Sequence, residues 1–232
     1  MALTRNQSHI GRRTARGSGL PSGVQAAILA VSFSLAVGVQ GAAAAGVSPH
    51  DLKAKMDYCE VCHGLQGRGF VGFFPVPRLA GQQVEYIENE LKGFVDRKRA
   101  NTAAPEKTNV MFNVGHVLSP EMITALAENF HKLNPKPVGG APKDLVAAGE
   151  KIFTGGIASA KVPACTTCHG ADAKGNGPIP RLAGQLYPYV ISQLSAWGKE
   201  RAETNSDIMA PIAHSLTDSQ IHAVAAYVSG LE

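Results

Sequence analysis

The sequence predicts an all-α protein built from two tandem domains. Three observations carry that expectation. "CEVCHG" at residue 59 and "PRLAGQ" at residue 77 recur in the same order as "CTTCHG" at 165 and "PRLAGQ" at 180. No segment sustains the two-residue apolar alternation of a strand. The segments "SPEMITALAENF" and "TDSQIHAVAAYV" share one amphipathic stripe, with Ile123, Leu126, Ala127 and Phe130 falling over Ile221, Val224, Ala225 and Val228.

The chain opens with a leader. Residues 1–45 carry Arg5, Arg12, Arg13 and Arg16 and no acid, then the apolar run "AAILAVSFSLAVG" and the small residues "GAAAAG". That order is an export signal cut between about Ala43 and Val47, although Val24 to Ala45 is also long enough to stay as a membrane anchor; peripheral membrane association of the exported part is left open. The pair Arg12-Arg13 lacks the apolar residues of a twin-arginine signal. Without the leader, basic residues fall from 22 to 18 and match the 18 acidic ones, so the net charge of +4 does not describe the exported part and nucleic acid is not an expected partner.

After the leader, residues 46–133 form the first domain, 134–142 a linker and 143–232 the second domain. The linker "NPKPVGGAP" combines three prolines with two glycines. Helices are expected at about 50–60, 82–96, 143–153 and 185–198, joined by the two amphipathic segments. Ser119 followed by Pro120 starts the first amphipathic helix, and Thr217 with Gln220 has capping-box spacing at the start of the second. Each domain has about ninety residues, and "GLQGRGFVGFFPVP" contributes little core, so something other than side chains must complete each interior.

Cys-x-x-Cys-His supplies it. Cys59, Cys62 and His63, and again Cys165, Cys168 and His169, have the attachment spacing of c-type haem. Two thiols one helical turn apart reach both vinyl groups of a porphyrin, and the next residue is an imidazole for the iron. A four-cysteine zinc site needs its pairs far closer than the hundred or so residues found here, and a thioredoxin-like pair needs a βαβ context. Disulfides alone leave the adjacent histidines unexplained.

The sixth ligands are expected to be Met111 and Met209, which coincide when the repeats are overlaid and fall in segments read as loops. Met122 coincides instead with Gln220, and core packing is the competing role for any methionine. His116 and His214 are a second matched pair and the rival ligands; His/His ligation would give lower potentials than His/Met. His131 and His222 have no counterparts and are expected on helix surfaces. In PRLAGQ, Pro77 and Pro180 are expected to offer the carbonyl that orients each ligating imidazole, with Leu79 and Leu182 against the porphyrin face. Arg78 and Arg181 either neutralise a propionate or lie on the surface. Tyr86, Tyr189, Phe94 and Trp197 are expected to pack.

CxxCHG, PRLAGQ, a methionine and a closing amphipathic helix, repeated after a short linker over residues 50–232, resemble the dihaem cytochrome c4 family of class I c-type cytochromes. The resemblance implies two cytochrome c domains about a pseudo-twofold axis, each with covalent haem c. It implies a periplasmic electron carrier between respiratory donors and a terminal oxidase or other acceptor. His63 and Met111 would ligate one iron and His169 and Met209 the other. The repeats differ in length, with 14 residues from His63 to Pro77 against 11 from His169 to Pro180, and 48 from His63 to Met111 against 40 from His169 to Met209. "TGGIASAKVPA" has no counterpart before Cys59. Unequal haem potentials are expected. The alternatives are a cytochrome subunit of a dehydrogenase, or a dihaem enzyme with one open iron.

Overall fold

The computed structural model describes residues 46–99, 105–197 and 206–232; the leader lies outside them. Helix α1 spans Pro49–His63, capped by the Ser48 hydroxyl accepting from the Asp51 amide, and it ends on the haem-motif histidine itself. A 3-10 turn and a two-stranded hairpin follow, β1 (Phe70–Val71) and β2 (Pro75–Val76), a small departure from the all-helical expectation. Then come α2 (Val84–Val95), α3 (Pro105–His116) and α4 (Pro120–Lys132), the last capped by Ser119 with Pro120 in its first turn. Residues 133–142 have no regular secondary structure among the described residues.

The second half repeats the order. Helix α5 is Val146–Gly155, α6 the single turn Thr166–His169, α7 Tyr187–Ala196, α8 Ser206–His214 and α9 Asp218–Gly230. The Thr217 and Gln220 capping box forms at the start of α9. Two helices, α3 and α8, occupy segments expected as loops, and they carry Met111 and Met209. Each was hidden for its own reason: α8 contains Pro211, and the apolar residues of α3 do not gather on one face.

Each half has its own core. Ile87, Leu91, Ile123, Leu126, Ala127 and Phe130 form the first, and Phe153, Ala183, Val190, Val224, Ala225 and Val228 lie in the second. The aligned stripes of α4 and α9 are buried position for position, so the repeat extends to packing. The packing partners differ in size. Gly149 lets α5 touch α9, since a Cβ there would stand 1.9 Å from the Ala223 carbonyl oxygen, whereas α1 places Leu52 and Met56 against the first core.

Candidate haem sites and their supporting loops

The loop behind each histidine is built by the same backbone bonds. The amide of Gly69 donates to the His63 carbonyl (2.7 Å) and that of Gly175 to the His169 carbonyl (2.8 Å). One carbonyl, Gly67 in the first half and Ala173 in the second, accepts from two successive amides, Leu79 and Ala80 or Leu182 and Ala183. Both accepting residues have positive φ, 64° at Gly67 and 56° at Ala173. Only the first is a glycine, so the second half retains the left-handed turn at a steric cost. Each PRLAGQ is then pinned to the last helix of its half: the Gly81 amide donates to the Phe130 carbonyl (2.8 Å) and the Gly184 amide to the Val228 carbonyl (2.9 Å).

These loops bring the prolines to the histidines. Nδ1 of His63 lies 2.8 Å from the Pro77 carbonyl oxygen, and Nδ1 of His169 lies 2.9 Å from that of Pro180. A carbonyl only accepts, so Nδ1 carries the proton and the lone pair is on Nε2, the atom able to bind a metal. Both imidazoles are buried, and burial pushes their pKa down against the opposing effect of the carbonyl, favouring the neutral, ligating form.

None of the four cysteines is paired in a disulfide. Cys59 and Cys165 are half-buried, while Cys62 and Cys168 are exposed. Before haem attachment, burial pushes the Cys59 thiol up to about 11 and moves Cys165 in the same direction. Paired reduced thiols one turn apart beside a neutral imidazole are the donor set that covalent haem requires, and this set fits it. Among the described residues no three His, Cys, Asp or Glu side chains converge on a protein-only metal cluster.

Cys59, Leu79 and Met111 pack on the first core, together with Met122. Cys165 and Leu182 pack on the second, but Met209 is not among the side chains packed there, although it too is half-buried. His116 and His214 are exposed; His116 stacks on Phe112, and Nε2 of His214 donates to the Trp197 carbonyl at 2.8 Å. His131 and His222 are exposed on their helices and bonded locally, His131 to the Gln82 carbonyl and His222 to the Tyr187 hydroxyl.

The arginines of PRLAGQ are not surface residues, which corrects one of the two readings the sequence left open. Arg78 is 3% and Arg181 7% exposed, with no carboxylate at ion-pair distance among the described residues. Burial first, then the neighbouring Arg181 and Arg68, pulls the Arg78 guanidinium down to about 10. Their donors go to backbone instead: Arg78 to the carbonyls of Ala80 and Pro135, and Arg181 to that of Ala183. Both also reach Oδ1 of Asn134, at 3.1 and 3.3 Å. Two buried cations sharing one neutral acceptor make a site suited to an anion.

Sequence reasoning missed the glutamines that close each PRLAGQ. Gln82 and Gln185 are buried and bond the opposite copy of the motif. Their only signal was an identical polar residue recurring beside a buried turn.

A mostly helical fold of two repeated halves, each with CxxCH ending a helix and its imidazole held by a proline carbonyl, defines a c-type cytochrome carrying covalent haem c. A family profile described as Cytochrome c matches residues 146–232. The chain is 39% identical over 204 residues to cytochrome c-552 of Acidithiobacillus ferridurans, covering 86% of each. It is 34% identical to cytochrome c4 of Azotobacter vinelandii, over 87% of this chain and 97% of that one. A thiosulfate dehydrogenase electron acceptor of Thiomonas intermedia is 34% identical over 74% of this chain and 77% of its own. The solved structure of cytochrome c4 from Acidithiobacillus ferrooxidans superposes with a TM-score of 0.65 at 39% identity, over 75% of this chain and 99% of that one. The chain belongs to the cytochrome c4 family of dihaem electron-transfer proteins, a family of carriers rather than enzymes.

Proposed function

We propose that this chain is a periplasmic electron carrier with His/Met ligation at both irons. His63 and Met111 bind the first iron, and His169 and Met209 the second; Cys59 with Cys62 and Cys165 with Cys168 hold the porphyrins as thioethers. Leu79 and Leu182 cover a porphyrin face, and Arg78 with Arg181 offsets propionate charge. The haem supplies the one-electron couple. The protein orients each imidazole through Pro77 or Pro180, keeps Nδ1 protonated, and excludes water from the ligating side. The observation that carries this reading is the matched pair of Nδ1 contacts to proline carbonyls at 2.8 and 2.9 Å, the arrangement that fixes a metal-binding histidine in one tautomer.

Export follows from residues 1–45 acting as a cleaved signal, with domains at 46–133 and 143–232 joined by 134–142. The partners are a respiratory donor and a terminal oxidase or other acceptor. Similarity to a thiosulfate dehydrogenase electron acceptor favours a second reading, in which a dehydrogenase is the donor. Mass spectrometry of the exported protein tests the first element: the chain must begin near Gly46 and carry the mass of two haems. A near-infrared methionine-to-iron band from both ferric haems tests the ligation, and its absence from either would remove that assignment. Stopped-flow reduction by a purified dehydrogenase, against reduction by a membrane quinol complex, separates the two donors.

A further inference from the structure

The two PRLAGQ segments interlock across the boundary between the halves. Oε1 of Gln185 accepts from the Arg78 amide at 2.8 Å, and its Nε2 donates to the Arg78 carbonyl at 3.0 Å. Gln82 does the same to Arg181, at 2.7 and 3.0 Å. The glutamines are 6% and 7% exposed, and Asn134, bonded to both guanidinium groups, bridges the two segments.

The Arg78 amide belongs to the same peptide unit as the Pro77 carbonyl, which accepts from His63. The Arg181 amide likewise shares its unit with the Pro180 carbonyl, which accepts from His169. An unbroken chain therefore runs from His63 Nδ1–H to the Pro77 carbonyl, through the conjugated amide to the Arg78 N–H, and on to Oε1 of Gln185. Its mirror runs from His169 to Gln82. We propose that each glutamine is a positioning residue for the iron of the opposite domain: Gln185 tunes His63, and Gln82 tunes His169. The proposal rests on the reading of these histidines as axial ligands.

The direction follows from amide conjugation. An acceptor on the N–H raises electron density on the carbonyl of the same unit, and linked hydrogen bonds strengthen one another. A stronger acceptor at Nδ1–H makes the imidazole more electron-rich, which favours ferric iron and lowers the potential. Each Oε1 also accepts from the following amide, Gln83 or Leu186, at 2.9 Å. Both lone pairs are thus engaged, and the side chain cannot turn away without leaving buried donors unpaired. Each iron accordingly senses whether the other domain is docked.

The test uses the full-length holoprotein with Gln185→Met, Gln82→Met and Gln185→Glu. It reads the potential of each haem by redox titration and the histidine Nδ1–H resonances by NMR of the diamagnetic ferrous form. Gln185→Met should raise the first haem's potential, a change of about threefold in its reduced-to-oxidised ratio at fixed applied potential. It should also move the His63 Nδ1–H resonance upfield and leave that of His169 nearly in place, while Gln82→Met should do the reverse. Gln185→Glu, which keeps and strengthens the acceptor, should move the His63 resonance downfield. The proposal fails if Met and Glu shift that resonance the same way, if each Met variant acts mainly on its own domain's haem, or if both potentials fall together, as wetting of a loosened interface would produce. If the ring protons of His63 and His169 lack the upfield shift of ligands lying under a porphyrin, the ligand assignment itself is at fault, whatever the glutamines do.

Discussion

The two halves repeat the same hydrogen bonds behind their histidines and differ around the rest of the haem motif. Behind the histidine, equivalent donors and acceptors recur, as in the pairs from His63 to Pro77 (2.8 Å) and from His169 to Pro180 (2.9 Å). In front of it, α1 runs 15 residues straight into His63, whereas the second half inserts a loop and enters His169 through the four residues of α6. The three extra residues of the first half fall between Gly69 and Pro77, where the hairpin holds Phe73 at 98% exposure; the second half closes the same gap with a single bridge between Asn176 and Ile179. Tautomer and orientation admit one solution, so that loop is kept. Chain entry and loop tip only have to reach it, and they diverge.

The comparison breaks first at the histidines. His63→Ala or His169→Ala should abolish stable haem loading of its own half and much of that half's helicity, read by haem stain and far-ultraviolet circular dichroism; equal helicity with and without the histidine would mean that the haem is no part of the core. Next come Met111→Ala and Met209→Ala. Each should remove one methionine-to-iron band, admit cyanide or carbon monoxide at that iron alone, and lower its potential by a sizeable part of the roughly 0.8 V that axial ligation spans. A variant that leaves both spectrum and potential unchanged would shift the assignment to Met122 or to the matched histidines.

The cores sharpen the comparison further. Phe130→Ala should cost about 3–5 kcal/mol in denaturant unfolding. Val228→Ala, at the aligned position, should cost less because fewer buried atoms are lost. Gly149→Ala should destabilise the second half by about 1–3 kcal/mol or more through overpacking against Ala223, with no counterpart in the first half. Smallest of all, Phe73→Ser should change stability by no more than about 0.5 kcal/mol, since a side chain at 98% exposure has little to lose.

Much of this molecule was readable from its letters because several constraints are local. The CxxCH spacing is set by the reach of two thiols to one porphyrin, and the amphipathic stripes of α4 and α9 by helical periodicity. The capping residues Ser119 and Thr217 bond only to their own first turns. The α3 and α8 helices were not readable, because the apolar pattern is weak in α3 and Pro211 interrupts α8, and segments expected as loops proved to hold Met111 and Met209 on helices. Burial of Arg78 and Arg181 was undecided for a related reason: in one dimension an arginine beside a proline looks the same at a surface and at an interface.

The sequence by itself determined that there are two haem motifs, two homologous halves and one orienting proline for each histidine, because each of these depends on residues close together in the chain. Only the tertiary structure decided that the glutamine closing one PRLAGQ reaches the arginine of the other, over separations of 107 and 99 residues. A hydrogen bond between two copies of one motif needs both copies folded and face to face, and no spacing along a single copy encodes that meeting.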